Sequence, residues 1–105
     1  MDVQLKRGIL EICVLAALRE GESYGYEIVK KVGRFAQISE STLYPILRRL
    51  EAAGALTVRE AAHNGRLRKY YGITDRGRRR IETFLSEWQE MVSLYRFIEG
   101  ENGYE

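Results

Sequence analysis

The sequence is poor in the residue types that build disulfides, metal centres and most catalytic sites. It contains one cysteine, one histidine and one proline in 105 residues. Cys13 cannot form an internal disulfide, and it lies too far from His63 in sequence to have zinc-ligand spacing. The same shortage argues against a nucleophile–histidine pair. We therefore predict no metal, no cofactor and no enzymatic activity, with Cys13 in the core.

Long hydrophobic runs are missing too. The longest unbroken apolar stretch, residues 12–18, has seven residues, far fewer than the roughly 20 that a membrane-spanning helix needs. The N-terminus lacks the charged and apolar pattern of a signal peptide. We therefore expect one small domain in the cytoplasm, with no membrane partner.

Charge is unevenly distributed, although the net charge is only +2. Residues 63–80 carry seven Lys or Arg against one acid, whereas residues 81–105 carry one Arg against six acids. A basic block followed by an acidic end indicates a local surface for a polyanion. A solvated charged face gives the same count, so both interpretations stay open on charge alone.

Hydrophobic periodicity and capping residues predict three helices, a β-hairpin and a long last helix. Ser23 is expected to cap the second helix and Thr74 the last one. Because Pro45 has no N–H and is comfortable only in the first turn, Ser41 rather than Ser39 is expected to cap the third helix, unless the start of this helix is distorted. The helices are expected over residues 3–19, 24–32, 75–99 and, for the third, from 39–41 to Gly54.

The hairpin is expected between the last two helices. Alternating apolar and polar residues predict strands at 56–59 and 67–73. Asn64 and Gly65 give the strongest turn signal, because both residues tolerate positive φ. The fold class is therefore mainly α with a small β-hairpin. It combines a winged helix-turn-helix in residues 1–74 with a C-terminal dimerisation helix and a short acidic tail in residues 75–105.

The predicted third helix has an apolar face and an opposite polar face. Its leucines and isoleucine cluster within about 100° of arc, whereas the other side carries Ser41, Tyr44, Pro45 and Arg48. Hydroxyl groups suit phosphate oxygens, and Arg can also pair with a guanine edge. This helix is therefore predicted to enter a DNA groove. Alternatively, Tyr44 is a half-buried aromatic that packs on the second helix.

The hairpin carries cations next to its turn. Arg66, Arg68 and Lys69 follow Asn64 and Gly65, and a thin basic hairpin can follow the phosphates or enter a minor groove. Charges also protect an exposed edge strand from aggregation, which is the alternative explanation. Because the basic hairpin directly follows a helix with a polar face, the two features together favour DNA binding.

The apolar surfaces of the first and last helices are too large for one small core. The first helix has two apolar stripes, where a surface helix of a monomer usually needs one. The last helix repeats apolar residues with the 3-4 spacing of a heptad seam. Mutual burial across a two-fold axis accounts for both, so we predict a homodimer. The residues expected at its interface are Ile9, Ile81, Phe84, Leu85, Trp88, Met91, Tyr95 and Ile98.

Three segments resemble those of PadR-family transcriptional regulators. They are Ser-Tyr-Gly-Tyr-Glu-Ile at 23–28, Ser-Thr-Leu-Tyr-Pro-Ile-Leu-Arg-Arg-Leu-Glu at 41–51, and Arg-Leu-Arg-Lys-Tyr-Tyr-Gly-Ile-Thr at 66–74. The order and spacing match the family over about residues 5–98. The short C-terminal part is similar to the compact branch, which has a single dimerisation helix.

The resemblance implies a homodimeric repressor that binds a palindromic operator in double-stranded DNA and is often released by a small molecule. It implies DNA contacts from the third helix and from the wing, the hairpin of this fold. The candidates for DNA contact are Ser39, Ser41, Thr42, Tyr44, Arg48, Asn64, Arg66, Arg68 and Lys69. The main alternative is a dimeric winged helix that binds a partner protein without binding DNA.

The resemblance also implies a site for a small aromatic effector. In multidrug-responsive members, a tryptophan at the position of Trp88 stacks on planar ligands between the two subunits. The candidate ligand residues here are Leu5, Ile12, Ala16, Trp88 and Val92. Ala16 and Val92 stand where those members carry polar residues, which departs from their pattern. Alternatively, Trp88 is a plain interface residue.

Overall fold

The computed structural model describes residues 1–101, so the last four residues of the expected acidic tail lie outside them. The predicted order of elements is confirmed: three helices, a two-stranded hairpin and a long fourth helix. The elements are α1 (Val3–Ala17), α2 (Gly25–Gly33), α3 (Glu40–Ala52), β1 (Leu56–His63), β2 (Arg66–Ile73) and α4 (Asp75–Ile98).

The cap of α3 differs from the prediction. Ser39, not Ser41, is the N-cap, and its Oγ accepts a hydrogen bond from the Thr42 amide at 3.3 Å. Pro45 therefore lies inside the helix. A proline there removes the one N–H that would bond to the carbonyl four residues earlier. Burial of the leucine face of α3, at about 1.5–3 kcal/mol for each fully buried side chain, outweighs that loss.

Ser23 also differs from its predicted role as a cap. Tyr24 is the N-cap of α2 and makes no side-chain capping bond. Ser23 is instead buried, and its hydroxyl donates to the Glu27 carboxylate. Its backbone pairs with β2, because its N–H donates to the Tyr71 carbonyl at 3.0 Å and its carbonyl accepts from the Tyr71 amide at 2.7 Å. The segment before α2 is thus joined to the hairpin.

The hairpin forms at the predicted turn. β1 and β2 are antiparallel, with Leu56 opposite Ile73 and His63 opposite Arg66. Asn64 and Gly65 have φ angles of 51° and 77°, which suit a two-residue turn whose twist matches that of the strands. The first strand is longer than predicted and reaches His63.

The core lies between the first three helices and the base of the hairpin. Side chains with less than 2% exposure include Leu15, Leu18, Leu43 and Leu47. The Glu11 carboxylate joins three helices at the edge of this core, because it pairs with Arg49 at 2.9 Å and with Arg80 at 3.1 Å. We call the part of the chain up to Ile81 the body.

The fourth helix starts on the body and then leaves it. Thr74 caps α4 by accepting from the Gly77 amide at 3.1 Å, and its hydroxyl donates to the Gly54 carbonyl at 2.7 Å. Ile81 is 5% exposed and belongs to the core. Beyond it the helix projects outward, so the described chain measures 63 Å by 26 Å by 21 Å. Within residues 1–101, no helix has the length and apolar character to cross a membrane.

Candidate nucleic-acid interface

An open cleft of about 780 Å³ lies between β2 and the first turns of α2 and α3. It gathers five of the predicted DNA contacts, namely Tyr44, Asn64, Arg66, Arg68 and Lys69. It also contains residues that sequence reasoning did not select. These are Tyr24, Gly25, Tyr26, Glu40, His63, Leu67 and Tyr71.

The cleft is positively charged. Three cations, Arg66, Arg68 and Lys69, face a single carboxylate, that of Glu40. Arg66 and Lys69 are exposed, whereas Arg68 is half-buried. An open groove with this balance attracts a polyanion and leaves room for an extended chain of phosphates.

Tyr44 reaches across to the start of α2 while remaining 36% exposed. A Cβ atom on Gly25 would lie 2.5 Å from the Tyr44 hydroxyl oxygen. The close approach therefore depends on glycine at this position. Tyr44 packs against α2, as the alternative interpretation predicts, and its remaining surface lines the cleft.

The front of α3 presents three hydroxyl groups. Ser39 Oγ lies 2.9 Å from Ser41 Oγ and 3.2 Å from Thr42 Oγ1, and all three residues are exposed. Arg48 is exposed as well, two turns along from Ser41. These four predicted residues lie outside the lining of the cleft. Ser39, Ser41 and Thr42 lie at the N-terminal end of α3, where the helix dipole favours anions.

The wing is held by the segment before α2. Arg59 of β1 forms a two-pronged ion pair with Glu22, with N–O distances of 2.8 to 3.0 Å. The hydrogen bond from Arg59 lowers the pKa of the Glu22 carboxyl below its usual range. Arg68 of β2 lies over the Tyr24 ring, 3.8 Å from its centroid. Sequence reasoning selected none of Glu22, Tyr24 and Arg59 for these contacts, and of the three only Tyr24 lies in the Ser-Tyr-Gly-Tyr segment that resembles the family.

The predicted dimer residues of α4 are largely uncovered in the single chain. Leu85, Met91, Tyr95 and Ile98 are 49–79% exposed. The Trp88 ring is 45% exposed and stacks on Phe84, with centroids 5.9 Å apart and planes 18° apart. Ile81 is the exception, because it lies in the protomer's own core. Phe84 is half-buried, so the exposed part of the seam begins at Leu85, and Ile9 is half-buried in the groove that Phe84 also lines.

The predicted ligand residues are not brought together within one chain. Leu5 and Ile12 line a groove of about 510 Å³ between α1 and α4, which also includes Phe84. Ala16 lines a separate depression next to Phe35. Trp88 and Val92 belong to the lining of neither. A common site for all five requires a second chain.

Cys13 packs against the core and is partly buried. Burial raises the pKa of its thiol above the usual value. Because the thiolate is the reactive form of cysteine, this environment makes Cys13 a weak nucleophile at neutral pH.

The architecture is that of a transcriptional regulator of the winged helix-turn-helix class: a helix with a polar face, followed directly by a basic hairpin. Comparison with known proteins gives the family. The family model "Transcriptional regulator PadR-like family" matches residues 14–83. The chain belongs to the PadR-like family of transcriptional regulators.

Solved structures and curated relatives agree with this. A PadR family transcriptional regulator from Eggerthella lenta is 35% identical, with a TM-score of 0.83 over 95% of this chain and 89% of that one. The negative transcriptional regulator PadR of Bacillus subtilis is 31% identical over 77% of this chain. This chain spans only 47% of the length of that relative.

The Bacillus subtilis PadR has also been solved in complex with operator DNA. That structure is 30% identical to this chain, with a TM-score of 0.69 over 73% of this chain and 47% of the other. The fold and the family predicted from the sequence are thus confirmed. Because the family consists of transcriptional regulators, the prediction that the chain is not an enzyme is confirmed as well.

Proposed function

We propose that this protein is a homodimeric repressor that binds a palindromic operator, with residues 1–74 contacting DNA and residues 75–105 holding the dimer together. The observation that carries the proposal is the basic cleft between β2 and the helices, which places Tyr44 and three cations on one open surface. The curated relatives come from bacteria, where the genome lies in the cytoplasm, and this supports the cytoplasm as the place where the protein acts.

Two adjoining surfaces share the contact with DNA. Ser39, Ser41, Thr42 and Arg48 on α3 suit a major groove and its flanking phosphates. The wing residues Asn64, Arg66, Arg68 and Lys69, together with Tyr44, suit the neighbouring backbone. Support comes from the Bacillus subtilis PadR, whose structure was solved with operator DNA.

A second copy of the chain accounts for the exposed seam. Large apolar side chains rarely form a continuous exposed patch on a monomer, yet α4 exposes a row of them from Leu85 to Ile98. Pairing two α4 helices, with the two α1 helices filling the sides, covers Ile9 and the seam together. A two-fold dimer of winged helices then presents its α3 helices to half-sites about 34 Å apart.

Release by a planar aromatic compound is the proposed form of regulation. Trp88 already stacks on a ring, that of Phe84, so a flat ligand can replace or extend this stack between the subunits. Leu5, Ile12, Ala16 and Val92 would supply apolar walls. The proposal predicts quenching of Trp88 fluorescence by planar aromatic compounds and weaker operator binding in their presence. No quenching across a broad panel would contradict it.

The test of DNA binding is selection of duplexes from random genomic fragments, followed by measurement of affinity against salt. We expect a palindromic sequence and a steep fall in affinity with rising salt. The variant Arg68→Glu/Lys69→Glu should lose binding to all duplexes. The matched control, Lys31→Glu/Arg34→Glu, changes charge equally at the far end of α2 and should bind normally.

The same variants separate DNA binding from the alternative, a winged-helix module for a partner protein. If the two charge-reversal variants bound duplex DNA equally well, the proposal of DNA binding through the wing would be contradicted. The absence of any duplex retention at low salt would contradict it as well.

A further inference from the structure

Three consecutive residues before α2 contact the wing in three different ways. Glu22 forms the ion pair with Arg59, Ser23 pairs through its backbone with Tyr71, and Tyr24 meets β2 with its ring. Together they fix the hairpin at its base and along one face. The tip, with Asn64 and Gly65, extends beyond these contacts.

The ring of Tyr24 lies within a stack of two aromatic rings, its own and that of Tyr70, with one arginine at each end. The Arg68 guanidinium sits 3.8 Å from the Tyr24 centroid. Tyr24 meets Tyr70 edge-on, with centroids 6.0 Å apart and planes 78° apart. The Arg59 guanidinium lies 4.8 Å from the Tyr70 centroid. The ion pair between Arg59 and Glu22 closes the stack at its other end.

Arg68 is held differently from the other two wing cations. Its flat face is against a ring, and none of the carboxylates among residues 1–101 forms an ion pair with it. A stacked guanidinium keeps the N–H donors at its edge available for a phosphate or a base. Arg66 and Lys69 are exposed and have no such ring contact among the described residues.

We propose that Tyr24 is a positioning residue for DNA binding, which orients Arg68 so that this arginine makes the ordered contact of the wing. Arg66 and Lys69 supply general attraction to phosphates. This inference rests on the proposed DNA-binding function. Its physical basis is preorganisation, because a side chain that is already ordered loses less conformational entropy on binding.

The test compares Tyr24→Leu with Tyr24→Phe by fluorescence anisotropy on a selected operator. Phenylalanine keeps the ring and should bind like the native protein. Leucine removes the ring and should weaken binding about five-fold, in the range of a cation–π contact. In an Arg68→Ala background, Tyr24→Leu should change the affinity by less than about two-fold, because its effect acts through Arg68.

Each other outcome overturns the inference. Equal losses for the Phe and Leu variants would mean that the tyrosine hydroxyl itself contacts DNA. The same loss for Tyr24→Leu with and without Arg68 would mean a general structural role, and native binding by Tyr24→Leu would mean no role. All three require that the native protein binds DNA, so they are distinguishable from failure of the proposed function, in which the native protein binds no duplex.

Discussion

The body and the far half of α4, residues 84–98, are both rich in large apolar side chains, but only the body covers them. Leu15 and Leu47 in the body are at most 1% exposed, whereas Leu94 and Ile98 on α4 are 58% and 79% exposed. All four of these leucine and isoleucine residues lie in helices. The difference is that the far half of α4 has no second layer of the same chain to pack against.

This contrast separates what the chain does alone from what it does with a partner. The body has its own core and places the cleft, the wing and α3. The far half of α4 gains stability only when another surface covers it, since most helical stability in proteins comes from packing of an apolar face. Folding of the DNA-binding surface and pairing of the subunits should therefore respond to different substitutions.

The largest loss of stability is expected from a cavity in the body. Leu47→Ala removes a side chain that is 1% exposed and should lower the free energy of unfolding by about 2–5 kcal/mol. Leu94→Ala, the same change at an exposed site, should cost less than about 1 kcal/mol at protein concentrations too low for pairing. Denaturant titration of both variants measures the difference. Equal losses would remove the distinction between the two regions.

The next effect concerns pairing. Trp88→Glu places a charge in the seam and should convert the dimer into a folded monomer, because a buried unpaired charge is costly. Operator affinity should fall about 100-fold when two half-sites are no longer held together. Sedimentation, circular dichroism and anisotropy measure the three properties. The control Gln89→Glu adds the same charge one residue further along, outside the seam, and should remain a dimer. If the Gln89→Glu variant were also a monomer, the assignment of the seam as the dimer interface would be contradicted.

A smaller effect is expected where α4 meets the body. A Cβ on Gly77 would collide with the Ala55 carbonyl oxygen and lie 2.7 Å from Ile73 Cγ1. Gly77→Ala should therefore lower the free energy of unfolding by about 1–3 kcal/mol. At Gly33, a Cβ would meet nothing within 4 Å, so Gly33→Ala should cause no loss. Thermal unfolding of the two variants measures the difference. An unchanged unfolding midpoint for Gly77→Ala would show that α4 does not pack tightly against Ala55 and Ile73.

The smallest effect is a pH dependence at the base of the wing. The pKa of Glu22 is lowered in the folded protein by Arg59. The ion pair therefore stabilises the fold at pH values above the ordinary pKa of glutamate. This contribution is lost as the pH falls through the lowered pKa that Glu22 has in the folded protein. NMR titration should show the pKa of Glu22 rising toward its ordinary value in Arg59→Leu. No rise would mean that Arg59 is not the cause.

Local rules predicted most of the fold, and they failed at the start of two helices, α2 and α3. Asn64-Gly65 and Thr74 act through neighbouring residues, so the turn and the last cap were predictable. Proline rules favoured Ser41 as the cap of α3, but the Ser39 hydroxyl accepts a hydrogen bond from the Thr42 amide and the helix begins at Glu40. Ser23 was a good local cap, yet pairing with Tyr71 takes its backbone instead.

The residues of the candidate site were likewise predicted only in part. Charge and helix periodicity selected Tyr44 and the wing cations, and the structure places them in one cleft. The contacts of Glu22 with Arg59 and of Tyr24 with Arg68 join residues more than 35 positions apart. No sequence pattern within a single helix or strand predicts contacts between residues so far apart. The heptad spacing likewise included Ile81 in the seam, because spacing does not tell which chain covers a residue.

The central claim is that a dimer binds operator DNA through α3 and the wing. Its most direct test measures the mass of the protein–operator complex and the affinity of binding across a series of salt concentrations. Two chains per palindromic duplex are predicted, with an affinity that falls by about one logarithmic unit per unit of log salt for each phosphate contacted. A complex with a single chain per duplex, or an affinity independent of salt, would contradict the claim.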